Sequence, residues 1–325
     1  MIGTPTVSLD IRLIVLEMRN RLSLHSALIL ITICAVINSS GCSIQNFAIN
    51  ALSDSLASGG SVFESDDDPI LIREALPFSL KLMDSLLEEE PEHRSLLLAA
   101  SRGYLLYTYA YVHLPAIQDD LSDISQVRVS RARARNLYLR AHGYAQRALE
   151  TRYPGIGPAL RRNPDESIRI IGQDPTSDAA AMYWTGVALG LAISVSGNEA
   201  AFLARIPEVE ALLRRGLEID EAWNDGAFHE FALSLAAART TTADQHELEA
   251  HYERALELSG GERASLHLAF AEAVAVPAQD RSGFVELVEK ALSVDVDADP
   301  DNRLLNLISQ ERARWLMGHL DELFL

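Results

Sequence analysis

Cysteine is almost missing from this 325-residue chain, which holds only Cys34 and Cys42. Cys34 lies inside an apolar run over residues 22–37, so Cys42 is the last thiol in the sequence. A chain with one thiol beyond its leader forms no internal disulfide, and its stability rests on packing even in an oxidising compartment. Lysine is nearly absent as well, limited to Lys81 and Lys290, and arginine carries the positive charge. Basic residues number 28 against 46 acidic ones, a formal net charge of −18. That excess argues against a nucleic-acid partner and against electrostatic adhesion to anionic lipid. There is no phosphate-binding glycine loop, no nucleophile elbow and no pair of cysteines in the mature chain. No catalytic residue, cofactor or metal ligand is therefore assigned, and an enzyme on an all-helical frame is the least favoured reading.

What is present begins with a leader. Arg19 and Arg21 precede the apolar run, which is shorter than the roughly 20 residues that span a bilayer. Asn38-Ser39-Ser40-Gly41-Cys42 comes next. Small residues before a lone cysteine, just past a signal-like run, read as a bacterial lipobox, with cleavage after Gly41 and a lipid on Cys42. Ser39 departs from the pattern, which favours Leu there. An ordinary signal peptide, or a membrane anchor that ends near a cysteine, shares part of this layout. Residues 1–17 fit no part of a signal peptide, whereas the sequence from Met18 does, so Met18 is the expected start. The expected organisation is a signal region over 1–41, a lipidated segment with a short helix and a loop over 42–69, and a helical domain over 70–325. Because the chain is acidic, attachment to a bacterial membrane would rest on the lipid alone, and several acyl chains anchor more stably than one.

The remainder reads as helix throughout, rich in Ala, Leu, Arg and Glu and poor in β-branched alternation. A first helix over Ser43–Ser58 is expected to break at Gly59-Gly60-Ser61. Asp66-Asp67-Asp68-Pro69 then forms a helix start, in which Asp68 caps and Pro69 suits the first turn. Three adjacent carboxylates also suggest a cation, but neighbouring Asp side chains do not converge on one point. Helices are predicted over 70–89, 93–113 (ending near Pro115), 127–151, 177–196, 208–219, 224–238, 244–259, 263–274, 280–294 and 302–318. An irregular stretch with two short helices lies between the third and fourth.

A small residue followed by Leu recurs near the end of every second helix. The pairs are Ser85-Leu86, Ala148-Leu149, Gly216-Leu217, Ala255-Leu256 and Ala291-Leu292. The later separations approach the tetratricopeptide period of about 34 residues, and the earlier ones approach twice it. The predicted fold is therefore all-α, a TPR-like helical repeat array (an α-solenoid) with degenerate repeats and insertions. In such arrays one helix of each pair lines the concave face. Here those helices are 93–113, 177–196, 224–238, 263–274 and 302–318.

Several stretches resemble the TatT-type T-components of TRAP transporters, which are bacterial TPR-like lipoproteins. They include GGSVFESDDDPILIREALPFSLKLMDSLL (59–87), YLRAHGYAQRALETRYPG (138–155), VEALLRRGLEIDEAWNDGAFHEFALSL (209–235), HYERALELSGGERASLHLAFAE (251–272), VPAQDRSGFVELVEKAL (276–292) and DADPDNRLLNLISQERARWLM (297–317). The resemblance implies a lipidated N-terminus in the periplasm, a homo-trimer with a central pore or cavity, and a periplasmic TRAP substrate-binding protein as partner. It also implies handling of a small, hydrophobic ligand. A lipidated TPR scaffold for another cell-envelope complex is the alternative.

Candidate ligand or partner residues lie on the expected concave helices. Tyr104, Tyr107 and Tyr111 share one helical face while Tyr109 points elsewhere; repeat-core packing, with hydroxyls reaching the rim, accounts for them better than a ligand surface does. Tyr183-Trp184 sits near Gly186 and Gly190, which permit close helix approach, and Trp184 is either core or cavity wall. Asn224, Phe228 and Glu230 lie on the next such helix. His229-Glu230 suggests a zinc protease, but Leu233 stands where the second His belongs, and His246 and His251 read as solvated. On the last long helix Gln310 and Arg314 are candidates, near Arg312; one Arg could pair across the array or face a partner carboxylate, but a solvated face accounts better for each alone.

Overall fold

The computed structural model describes residues 51–56, 60–118, 124–172, 174–237 and 244–324. The signal-like run, Cys42 and most of the expected 43–58 helix lie outside them. From Ser53 onward the chain forms one compact unit. Helices make up that unit, with no strand among the described residues, and no described helix is long and apolar enough to cross a membrane.

The first elements are α1 (Gly60–Glu64), α2 (Pro69–Glu89), α3 (Arg94–Thr108), a π-helical segment (Tyr109–His113), α4 (Leu114–Gln118) and α5 (Ile124–Glu150). Then come α6 (Ile156–Arg162), α7 (Pro164–Ser167), a 3-10 turn (Ile168–Ile170), α8 (Pro175–Ser194), α9 (Ala200–Leu203), α10 (Ile206–Asp220) and α11 (Trp223–Ala237). The chain finishes with α12 (Gln245–Ser259), α13 (Ala264–Phe270), a second π segment (Ala271–Ala275), α14 (Arg281–Ser293), a 3-10 turn (Pro300–Asn302), α15 (Arg303–Gly318) and α16 (Leu320–Leu323).

Local chemistry explains the starts and stops. Asp68 accepts from the amides of Ile70 and Leu71 (2.9 and 3.0 Å), and Pro69 opens α2, so the acidic run serves as a cap. Three expectations need correction. Residues 60–64 are not loop but α1. Helix does not end near Pro115: the Leu114 amide reaches back five residues to the Tyr109 carbonyl, and Pro115 falls in the first turn of α4, where a missing N–H is tolerated. Asn224 does not lie on a regular helix. Asn224, Asp225 and Gly226 all take left-handed backbone angles (φ 47°, 55° and 80°), a conformation that Asn, Asp and Gly tolerate best, and the regular part of α11 starts after them.

Two sets of helices pack in a closed order. Neighbours in sequence pair: α2 on α3, α10 on α11, α11 on α12, α13 on α14 and α14 on α15, while α5 lies between α3 and α8. Within this, α3 meets α8, α8 meets α11, α11 meets α13, and α13 meets α15. The last long helix then returns to the first. Leu304 and Ile308 of α15 share a core with Ile72 and Leu76 of α2, and Arg303 donates to the Ser65 carbonyl (2.8 Å). These five helices, each touching the next in the series, are the ones expected on the concave side. The recurrent small residue is buried at four of its five positions: Ala148, Gly216, Ala255 and Ala291. At Ser85 it is exposed, and the following Leu86 is buried instead.

The core also holds neutral histidines. His142 donates from Nδ1 to the Thr185 carbonyl (3.2 Å) and accepts at Nε2 from Arg205 (2.9 Å). His267 contacts the Tyr252 hydroxyl (2.7 Å). Burial lowers both pKa values from 6.5 to about 4. An unfolded chain therefore binds a proton at each below pH 6.5, while the folded chain refuses it until about pH 4. Stability is unaffected above pH 6.5 and falls as pH drops through that window, by roughly 3 kcal/mol per histidine at most. Thermal unfolding followed by circular dichroism is expected to show a melting temperature that declines steadily from pH 6.5 to 4.5. A flat profile would mean that these rings accept protons in the folded state.

Candidate functional site

The five touching helices bring polar side chains together from positions remote in sequence. Arg312 of α15 is the central one. Its Nη1 donates to the Tyr109 hydroxyl (2.9 Å) and its Nη2 pairs with the Glu272 carboxylate. Tyr109 opens the first π segment and Glu272 lies in the second, so one guanidinium bridges both π turns. A π turn inserts one extra residue and rotates the next stretch of helix, and such turns recur at functional sites. Burial opposes the charge on Arg312, but Glu272 and Tyr109 hold its pKa above the usual value. Burial likewise pushes the Tyr109 hydroxyl up. The two ionic side chains keep 22% and 25% of their surface accessible although they face inward.

Beside this cluster, Arg263 pairs with Glu230 at 3.6 Å and donates to the Asn224 carbonyl (2.8 Å). An aromatic wall continues the surface. Tyr183 meets Trp184 edge-on at 4.9 Å between ring centres, Trp223 at 5.0 Å and Phe228 at 5.5 Å. Burial, then the charge of Glu230, raises the pKa of the Tyr183 hydroxyl. Arg102 of α3 lies over the Trp184 ring, 5.8 Å from its centre, within cation–π range.

Placement of the remaining candidates is mixed. Tyr104 is buried against α2 and α5: its hydroxyl donates to Asp84 (2.8 Å), accepts from Arg140 (3.1 Å), and its ring stacks on Tyr144. Tyr107 accepts from Arg133 (3.1 Å), and Tyr111 donates to the Pro69 carbonyl (2.9 Å). The face these three share thus turns toward α2 and α5, and Tyr109, on the other face, is the ring that joins the Arg312 cluster. Trp184 and Glu230 lie at the inner surface. Phe228 is fully buried behind Tyr183. Asn224 is exposed and contributes its backbone carbonyl. Gln310 is buried and donates to the Leu292 and Val294 carbonyls (3.2 and 2.8 Å), capping the end of α14. Arg314 is exposed. Gly186 lies under the Phe231 ring, where an added Cβ would stand 3.0 Å from a ring carbon, as its role in close helix approach requires.

His251 is not solvated as expected. Its Nδ1 sits 2.8 Å from that of His229, whose Nε2 faces Glu221 at 3.4 Å. No group of three or more metal-ligating side chains occurs among the described residues.

Sequence reasoning named neither Arg102 nor Arg263 nor Glu272. A signal for the first exists, since Arg102, Tyr109 and His113 recur at helical spacing on one face of α3 and its π extension. Chemically, the interior offers aromatic faces and carboxylates each matched to an arginine. Such a surface suits binding, as the side chains hold one another in place.

Comparison with known sequences gives two findings. The family described as TRAP transporter T-component matches residues 65–324. An uncharacterized protein of Treponema pallidum (strain Nichols) is 28% identical over 302 residues, which covers 88% of this chain and 94% of that protein.

Proposed function

Because the chain belongs to the TRAP transporter T-component family, we propose that it is a lipid-anchored periplasmic accessory protein that binds the substrate-binding subunit of a TRAP system and takes a small ligand into its interior. As a T-component it is an accessory part of a transport system, associated with the envelope, and family membership over most of the chain is the observation that carries this reading. The helices form a degenerate TPR-like array. The successive contacts of α3, α8, α11, α13 and α15 support that geometry, and the partly accessible aromatic and ionic side chains they carry support a ligand site there. The binding residues on this reading are Trp184, Glu230, Tyr109 and Arg312, with Tyr183 between them. A homo-trimer is inferred from the resemblance to the family.

Two experiments test this. Replacement Cys42→Ser is expected to release a folded protein into the soluble envelope fraction, read by fractionation and circular dichroism; a membrane-bound variant would overturn the lipid anchor. The tagged wild-type protein is expected to co-purify with a TRAP substrate-binding protein of the same cell, with cargo present, at low and moderate salt. Absence of that complex under both conditions, with a different envelope complex recovered instead, would favour the scaffold reading.

A further inference from the structure

Helix α1 packs on α15 and on the 300–302 turn, at the far end of the chain. From there Glu64 reaches to Arg102 of α3 and forms an ion pair with its Nη2. The Glu64 side chain is only 7% accessible, whereas Arg102 keeps 39% of its side-chain surface open. A guanidinium carries five N–H donors in a fixed fork that fits a carboxylate in two-point fashion. Glu64 engages one edge of it. The same guanidinium lies over Trp184, and Trp184 is continuous with Tyr183 and Trp223. Asp301, on the turn that α1 touches, acts on Arg102 through its charge.

A carboxylate from the chain itself is thus seated on an arginine backed by a wall of aromatic rings. We infer that Arg102 and Trp184 form a subsite for an organic carboxylate with an apolar body, and that Glu64 occupies the arginine as an internal stand-in which an entering ligand displaces. This rests on the reading of the interior as a ligand site and names the chemistry of that ligand. The wall takes the apolar body, and Arg102 selects the acid over an uncharged analogue. Burial lowers the pKa of Arg102, so the charge is costly there and gains from a carboxylate partner. Because Glu64 lies on α1 while Arg102 lies on α3, displacement would also free α1 from α3 and leave it held by α15 and the 300–302 turn.

Isothermal calorimetry with 4-phenylbutanoate, and with 4-phenylbutan-1-ol as the uncharged analogue, tests the assignment. In the mature protein the acid is expected to bind at least tenfold more tightly than the alcohol. Glu64→Gln is expected to tighten the acid a further tenfold and leave the alcohol unchanged. Arg102→Gln alone would strand the buried Glu64, so the double change Glu64→Gln with Arg102→Gln keeps an amide pair at the contact. It is expected to bind acid and alcohol alike, with a melting temperature near that of the parent. Equal binding of acid and alcohol by the parent, no gain on Glu64→Gln, or retained acid preference in the double variant would each overturn the inference. Intact co-purification with the substrate-binding protein alongside any of those results would sink the subsite alone. Loss of co-purification while the acid preference holds would sink the transport role alone.

Discussion

Asp178→Ala is expected to be the most damaging single substitution away from the interior, costing about 3–5 kcal/mol. Asp178 is fully buried at the start of α8. One carboxylate oxygen takes Arg94 (3.1 Å) and faces Arg152 (3.5 Å), and the other accepts from the Tyr153 hydroxyl and from the amides of Gly172 and Asp174 (3.2 Å each). Arg94 also donates to the carbonyls of Ala148 and Ser177 (both 2.9 Å). A single carboxylate thus ties α3, the end of α5, the 153–172 connection and α8 together. Removing it leaves the Arg94 guanidinium without its counter-ion and the Asp174 amide without its acceptor, while the Gly172 amide keeps the Tyr153 hydroxyl (3.2 Å), and breaking a buried pair from one side is the expensive way to do it. Asp178→Asn keeps the shape and part of the hydrogen bonding, so it should cost about half as much. Chemical denaturation of the three proteins measures this. Equal stability of the Ala variant and the parent would show that the network contributes nothing net.

The second large effect is expected at Gly216. A Cβ built there would lie 2.0 Å from a carbon of the Phe228 ring, and that ring is fully enclosed, with Tyr183 and Trp223 against it. Overpacking of a rigid core site costs about 1–3 kcal/mol and sometimes more, and Gly216→Ala should fall at the upper end because the ring has no free side to move into. Phe228→Leu creates space at the same place. The double variant should therefore be more stable than the sum of the two single changes implies, by about 1 kcal/mol or more. Strict additivity in the double-mutant cycle would mean that the ring and the glycine are not in register as described. The pair also connects fold to site, because Phe228 supports Tyr183 from behind.

Much of this architecture is legible in the residues. Prolines and glycines punctuate the helices, and the small-residue–Leu phase marks the helices that pair closely. The alternate helices of that phase, α3, α8, α11, α13 and α15, are the ones that touch in succession, whereas Arg312, which reads as solvated when taken alone, pairs with Tyr109. The rest depends on pairings no local pattern encodes. Whether Tyr104 or Tyr109 faces inward depends on which side α2 and α5 cover, and Asp84 and Arg140 draw Tyr104 outward. The π turns change the register after Tyr109 and Ala271, and the prolines that follow them, Pro115 and Pro277, read as helix ends and not as π turns. Asn224 looks like a helix residue by composition, yet Asn-Asp-Gly in a row is the sequence most able to hold three left-handed residues, and that signal lies in the sequence itself. Gln310 reads as a binding candidate because it lies on the last long helix, but the free carbonyls at the end of α14 take its side chain. Glu64 and Arg102 meet only because the chain closes on itself.

The central claim is that the interior between the five helices receives a ligand from the TRAP substrate-binding protein. Native mass spectrometry of the mature protein, mixed with its cargo-loaded binding protein, tests it most directly. The account predicts that a fraction of the cargo mass appears on this protein, and that Trp184→Ala, checked for an unchanged helical spectrum, carries less of it. Cargo that stays wholly with the binding protein at every mixing ratio, or that transfers equally to the Trp184→Ala variant, would contradict it.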